Sequence, residues 1–410
     1  MENDISMKII RLSSKFFFLF LYTTCAFVIT ACSKDEPGVD EQGGEPEVPR
    51  IDFVEMSSVQ AHENDPNVIW YDDFSSTKAY MESRGEIDNE VFFGNSGGSA
   101  DFGFDKGETS GHGDRKVAFG GFPGGQPVVR SGEKFDEIYW RIYVKHEYGW
   151  RGSPAKMSRA TSIISENWQQ AMIAHVWSGA DNSLTLDPAR GVKDQTDNIA
   201  TTSYNDFDNL SWLGNQPSSD FKISSTEESG YWVLVEARAK LNTPGVSDGL
   251  NQLWIDGRLE AQRSELNFRG SYTDHGINAV FLESYWNGGA ERTQGRWFDN
   301  FVISTEPIGP ITSPVNPTLY KIPYHGEGEL EAWEIKLASD FNGDDVVFTS
   351  DLLGKIEKVK IDESNGAFSG SLEGKSSLAS GQTYFGRVRQ QNSFGNWSEW
   401  SRWHQPFKIE

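Results

Sequence analysis

The sequence predicts an all-β protein, a jelly-roll sandwich followed by a smaller β-sandwich, and three observations predict it. Short runs alternating apolar with polar residues fill the chain from about residue 66 onward, clusters of Gly, Asn, Asp and Ser separate them, and no segment carries a long apolar stripe at helical spacing. The 26 Phe, 14 Trp and 13 Tyr supply the apolar area that stacked sheets bury. At 410 residues the chain is long enough for two domains.

The N-terminus reads differently. Starting from Met7, the residues Lys8, Arg11 and Lys15 form a basic region, and Phe16 to Ile29 form an apolar stretch too short for a membrane span. The stretch ends in Ile29-Thr30-Ala31-Cys32, which resembles a bacterial lipobox. That resemblance implies cleavage before Cys32 and a diacylglycerol on its thiol. The following Ser33-Lys34-Asp35-Glu36 resembles the acidic export signal of Bacteroidetes surface lipoproteins, which implies a lipid-anchored protein on the outer face of the outer membrane. An ordinary signal with Cys32 present by chance is the plainer reading. Residues 1–31 are thus expected as signal peptide and 32–50 as a flexible acidic tether, rich in Pro, Gly and acids and without an apolar period that could repay ordering.

Residues 51–305 are expected to form the jelly roll. Ile138–Val144, Met172–Trp177, Tyr231–Ala237 and Asn278–Glu283 read as strands, and Gln252–Ala261 reads as a hairpin with Asp256-Gly257 at a turn that demands positive φ. Pro, Gly, Ser and Thr cluster at 306–316, a linker signal. The remaining residues, 317–410, show strands at Leu330–Ile335, Val346–Thr349, Lys355–Ile361 and Gln382–Arg389, the pattern of a small sandwich of fibronectin-III type. Within it Arg387 and Arg389, two apart and so on one face, precede Trp397-Ser398-Glu399-Trp400-Ser401. This resembles the Trp-Ser-x-Trp-Ser element of cytokine-receptor fibronectin modules, and implies Arg and Trp interleaved in a cation-π ladder. A glycan-stacking face is the other reading of these aromatics.

Charge and cysteine usage narrow the function classes. A net charge of -23 argues against nucleic acid, whose binding needs Lys and Arg on phosphates, and leaves room for an anionic glycan at a local basic cleft. Of the two cysteines, Cys25 lies within the expected signal, so the mature domain has no thiol for a disulfide, a nucleophile or a zinc-thiolate site.

The central region carries an ordered block: Trp232, Glu236, Lys240-Leu241-Asn242-Thr243-Pro244-Gly245, Ser247-Asp248-Gly249, Trp254-Ile255-Asp256-Gly257, Asn267-Phe268-Arg269 and Asp299-Asn300-Phe301-Val302. It resembles the C-terminal half of jelly-roll polysaccharide lyases of the alginate and glucuronan type, over roughly residues 138 to 303. The resemblance implies a lysine in a Gly-rich segment, matched by Lys156 in Trp150–Arg159, although the family's KLPG is here Lys156-Met157-Ser158-Arg159 and its FFGG is replaced by Tyr285-Trp286-Asn287-Gly288-Gly289. Elimination at a uronate requires a group that neutralises the carboxylate, a base for the C5 proton and an acid for the leaving oxygen. Arg159 and Gln170 are candidates for neutralisation, Lys156 or His175 for proton abstraction, and Tyr285 for proton donation, provided adjacent strands gather them on one sheet face.

Alternatives stay open beside these. His175 lies in an apolar strand, where a satisfied core histidine is common. Lys156 reads equally as a solvated charge, and Tyr285 as a loop-closing aromatic. Asp187 and Asp206 form a weaker pair for glycosidic hydrolysis. Asp72-Asp73 near the start and Asp299-Asn300 near the end offer oxygen ligands for a structural calcium, or simply turns; the elimination chemistry itself needs no cofactor. The expected partner is an extracellular, uronate-containing polysaccharide, and the competing class is a non-catalytic glycan-binding or adhesion protein.

Overall fold

In the computed structural model, the described residues are 47–410 apart from 61, 155, 180, 194, 195 and 218–220; Cys32, the expected signal and residues 33–46 of the tether lie outside them. The protein is all-β, and the described residues contain strands and two short 3-10 turns but no α-helix. Two large sheets face each other. One runs, in spatial order, Ser211–Trp212, Leu184–Arg190, Gln170–Ser178, Lys156–Ile163, Ala279–Tyr285, Ser110–Phe119 and Glu82–Arg84. The other runs Arg258–Leu266, Gly249–Ile255, Trp232–Lys240, Glu137–His146, Arg296–Ser304, Ser99–Asp101 and Ile87–Asp88, with Val68–Asp72 also pairing to Arg296–Ser304.

Alternation decides which side chains fill the space between the sheets. Met172, Ala174 and Val176 from one sheet meet Trp140, Val144, Val235 and Leu253 from the other in a single core. Trp140 reaches across it, and its indole N–H donates to Oγ of Ser158 at 3.0 Å. The expected hairpin is present. Asp256 and Gly257 both take positive φ, 47° and 77°, as a two-residue turn between twisted strands requires.

The C-terminal residues form a second sandwich, with one difference from the sequence reading. Ile51–Val54 does not belong to the large sandwich but pairs with Thr318–Lys321, Val54 opposite Leu319, in a three-stranded sheet completed by Lys358–Lys360. The alternation of that strand gives no sign of which sheet it joins; pairing over more than 250 residues is a tertiary choice. The opposing sheet has the order Thr312–Ser313, His404–Ile409, Thr383–Asn392, Leu330–Ala338, Val346–Ser350 and Gly366–Phe368. The linker signal is also partly overruled. Both oxygens of Glu236 accept backbone N–H bonds, from Ile308 at 2.9 Å and Gly309 at 2.8 Å, and Thr312–Ser313 enters the six-stranded sheet.

The aromatic ladder forms as its spacing requires. The guanidinium of Arg387 lies 4.5 Å from the Trp403 ring centroid and 4.9 Å from that of Trp400, and Arg389 lies 4.8 Å from Trp400 and 4.5 Å from Trp397. The hydroxyls of Ser398 and Ser401 accept the backbone N–H groups of Gln390 and Val388, so the serines stitch the aromatic segment to the strand that carries the arginines.

Candidate functional site

Strand register builds the site on the outward face of the sheet that contains Lys156–Ile163. Tyr285 pairs with Lys156, Lys156 with Trp177, and Trp177 with Thr185, so these four form one row across four strands. Phe281, Arg159, His175 and Asp187 form the next row by the same pairings. With strands about 4.8 Å apart, each row spans about 15 Å. Four of the five residues singled out for catalysis, Lys156, Arg159, His175 and Tyr285, therefore share one face. Gln170 lies further along the His175 strand.

A segment from Thr201 to Trp212 lies over this face, and Gln170 holds it there. The Gln170 side-chain carbonyl accepts the Asn205 N–H at 2.8 Å, its amide donates to Oγ1 of Thr161 at 3.1 Å, and its main-chain carbonyl accepts the Thr201 hydroxyl at 2.7 Å. Gln170 is fully buried, so it positions the covering segment and does not reach a substrate carboxylate, which corrects its expected role in neutralisation.

The same segment seals Arg159. Nη1 donates to Oδ1 of Asn205 at 2.8 Å and lies 3.3 Å from Nε2 of His175, while Nη2 donates to the Tyr204 hydroxyl and to Oε1 of Glu283, the latter at 2.6 Å. Its side chain is 0 % exposed. The expected role of Arg159 in neutralising a substrate carboxylate is thus corrected. Its carboxylate partner is internal, because an unpaired guanidinium buried this deeply would be far costlier than the Glu283 pair.

His175 is also internal. Burial, followed by the positive charges of Arg159 and Lys156, holds its imidazole well below the ordinary histidine range, so it is neutral and its Nε2 accepts from Arg159. Trp177 packs on it at 4.4 Å between ring centroids, and Trp212 stacks at 6.0 Å. His175 is thus a core histidine, the plainer of the two readings the sequence left open, engaged through Nε2.

Lys156 and Tyr285 remain at the open end of the face. The ammonium lies 5.3 Å from the Tyr285 ring centroid and 3.8 Å from Oε1 of Glu283. Burial pulls its pKa below the ordinary lysine value, only partly offset by Glu283. Tyr285 is 38 % exposed. Further along, Phe207 and Trp212 are exposed and stack at 6.1 Å. Asp187, half-buried beside Trp177 and Asn215 in a cavity of about 440 Å³, has its carboxyl raised to about 6 by burial alone. Asp206 does not join it. Its oxygens accept from Thr202 and Asn209 within its own exposed turn, so the hydrolytic pair does not assemble.

The expected calcium ligands do not gather either. The register does bring the first and last strands of the large sandwich together, with Asp72 opposite Phe301. But Asp72 accepts from the Phe74 N–H and the Tyr80 hydroxyl, Asp73 from Ser75, and Asp299 from the N–H groups of Phe93 and Asn300 and from the Ser96 hydroxyl. Asn300 donates to Met56 and Asp299. Asp72, Asp73 and Asp299 are thus each held by separate local donors, and no cluster of three or more metal-ligating acids, His or Cys occurs among the described residues.

Sequence reasoning missed Glu283, Tyr204 and Asn205. Glu283 carried a signal, an acid in the apolar run Ala279–Tyr285 on the same parity as Phe281 and Tyr285. Tyr204 and Asn205 carried none, since their role depends on where an irregular segment folds back.

No protein-family model matches this chain, and no curated protein matches it. Among solved structures, it is similar to an endo-β-1,4-glucuronan lyase from the fungus Trichoderma reesei, at 12 % identity and a TM-score of 0.37 over 63 % of this chain and 96 % of that one. It is similar also to the alginate lyase Aly36B, at 13 % identity and a TM-score of 0.38 over 58 % of this chain and 97 % of that one. The marine PL-14 alginate lyase from Aplysia kurodai matches at 14 % identity and a TM-score of 0.36, over 58 % and 99 %.

Proposed function

We propose that this chain acts on an extracellular, uronate-containing polysaccharide at the face described above, by β-elimination. The observation that carries the reading is Lys156, an amine held below its ordinary pKa by burial, in register between Tyr285 and Trp177 at the open part of that face. A lysine of lowered pKa is poised as a base, and a neighbouring phenol as an acid. In this reading the neutral Lys156 amine takes the C5 proton, the C5–H electrons form the C4=C5 double bond, the C4–O bond breaks, and Tyr285 gives its proton to the departing oxygen. Trp177, Trp212 and Phe207 supply apolar faces for sugar rings. Arg159, His175 and Gln170 act beneath them, fixing the floor.

A second reading has its own support. The sealed guanidinium of Arg159 leaves the face without the free arginine that would neutralise a uronate, and the exposed Phe207 and Trp212 stack suits binding without turnover. Ultraviolet absorbance over time with alginate, glucuronan, ulvan and glycosaminoglycans separates the two. A rise reports the unsaturated uronate that elimination creates. Flat absorbance together with retardation in affinity gels would replace the enzyme by a glycan-binding protein, and the absence of both signals would overturn the acidic-glycan reading itself.

The same proposal puts a diacylglycerol on Cys32 and the sandwiches outside the cell, on a tether shorter than the expected 32–50, since Pro49 and Arg50 are buried and Arg50 pairs with Glu228 at 3.3 Å. Its support is the sequence pattern at Ile29–Glu36, and mass spectrometry of the mature N-terminus tests it.

A further inference from the structure

The second large sheet turns one face to the core and the other toward the C-terminal sandwich, and that outer face carries an ordered polar array. Tyr139, Arg238, Gln252 and Gln262 lie in one row across four strands by register. They are joined by hydrogen bonds: Arg238 donates to Glu137 at 2.7 Å and to the Gln252 carbonyl at 2.8 Å, and the Gln252 amide donates to the Gln262 carbonyl at 2.5 Å. Trp254 stands beside the row, half-buried, with its ring 6.5 Å from Tyr139 at an interplanar angle of 30°. Phe385 and Pro406 of the C-terminal sandwich close a cavity of about 490 Å³ over Tyr139, Arg238, Gln252 and Trp254, and Gln262 lies outside it, exposed, where it holds the Gln252 amide.

We propose that this cleft is a second carbohydrate site, on the sheet opposite the one that carries Lys156, for a neutral, hydroxyl-rich oligosaccharide. Alternating C–H faces and hydroxyl edges are what distinguish a sugar from other ligands of this size, and the cleft offers a partner for each. The Trp254 and Tyr139 rings suit the apolar sugar face, while the Gln252 amide, both donor and acceptor and oriented by Arg238 on one side and Gln262 on the other, suits a hydroxyl. Charge selects against an anionic chain. Arg238 is balanced by Glu137 at 2.6 Å, and the oxygens of Glu236 are occupied by the Ile308 and Gly309 N–H groups, so no unbalanced cation faces the cavity. The site does not depend on the elimination reading.

The test is calorimetric titration of the full chain with hexasaccharides of cellulose, laminarin, xylan and mannan, followed by the folded variants Trp254→Ala, Gln262→Ala and Trp177→Ala. At least one of these sugars is expected to bind, with affinity reduced tenfold or more by Trp254→Ala and severalfold by Gln262→Ala, and unchanged by Trp177→Ala on the opposite sheet. Gln262 is exposed, so its truncation keeps the test valid if Trp254→Ala misfolds. Absence of binding by all four sugars, binding indifferent to both Trp254 and Gln262, or binding lost in Trp177→Ala would each overturn the proposal.

Discussion

The Glu283 carboxylate lies 2.6 Å from Nη2 of Arg159, with side-chain exposures of 8 % and 0 %, and the same oxygen is 3.8 Å from the Lys156 ammonium. One buried anion therefore serves two cations. Removing one partner of such a pair strands a charge and costs about 3–5 kcal/mol, whereas replacing both with apolar groups of similar volume is often neutral. We expect Glu283→Gln and Arg159→Met each to lower unfolding free energy by about that amount. The double variant Glu283→Gln with Arg159→Met should lose less than the sum of the single effects. Additive losses in a denaturant titration would show that the pair is not coupled.

Lys156 gives a prediction about pH. Its pKa is lowered by burial, so the neutral amine becomes available at lower pH than in a free lysine. If it is the base, elimination rises with pH through a value below 10.5. Lys156→Ala and Tyr285→Phe should each cut turnover about 100-fold or more, in line with general acid–base contributions, while gel retardation by the same glycan persists. A turnover rate independent of pH in that range, or unaffected by Lys156→Ala, would remove the lysine from the mechanism.

How much of this was legible beforehand differs between the fold and the site. Period-two alternation is local, so the strands around Met172 and Val280 and the Asp256-Gly257 turn were readable from a few residues each. The co-facial placement of Lys156, Arg159, His175 and Tyr285 was an expectation contingent on strand order, and the order supplies it. What the sequence concealed was depth. Arg159 and His175 have outward parity, yet the covering segment at Thr201–Trp212 buries both, and nothing in Tyr204-Asn205 announces that it will fold back onto a strand some 45 residues upstream. The assignment of Ile51–Val54 to the distant sandwich failed to show for the same reason, since pairing partners are not encoded in a four-residue alternation.

Asp187 supplies a stability prediction of opposite sign. Its carboxyl is raised from 3.8 to about 6 by burial, so between those values the folded state holds a proton that the unfolded chain releases. Stability contributed by the neutral form is fully present below about 3.8 and is lost as pH rises toward 6. At about 1.4 kcal/mol per unit the ceiling is about 3 kcal/mol, and partial solvation of the group reduces it to about 1. Asp187→Asn should therefore stabilise the protein at pH 7 and flatten its melting temperature between pH 4 and 6. An unchanged pH profile in that variant would show that Asp187 is not the titrating group.

The two sandwiches should unfold together. Trp232, Tyr143 and Leu234 on the outer face of the large sheet belong to the same apolar cluster as Trp333, Ile335 and Phe407 of the C-terminal sandwich. Polar contacts cross the same boundary: Arg402 donates to Asp256 at 2.9 Å, and the Gln405 amide donates to the carbonyl of Trp232 at 3.0 Å. Asp256 is 1 % exposed, and burial raises its pKa despite Arg402. Loss of the arginine would leave that carboxylate to bury itself unpaired, at a cost of about 3–5 kcal/mol. We therefore expect one calorimetric transition for the wild-type chain and a lower melting temperature for Arg402→Met, with the transition splitting once the junction is weaker than either core. Two transitions in the wild type would mean that the shared cluster does not couple the sandwiches, and an Arg402→Met melt identical to wild type would mean that the Asp256 pair contributes nothing to that coupling.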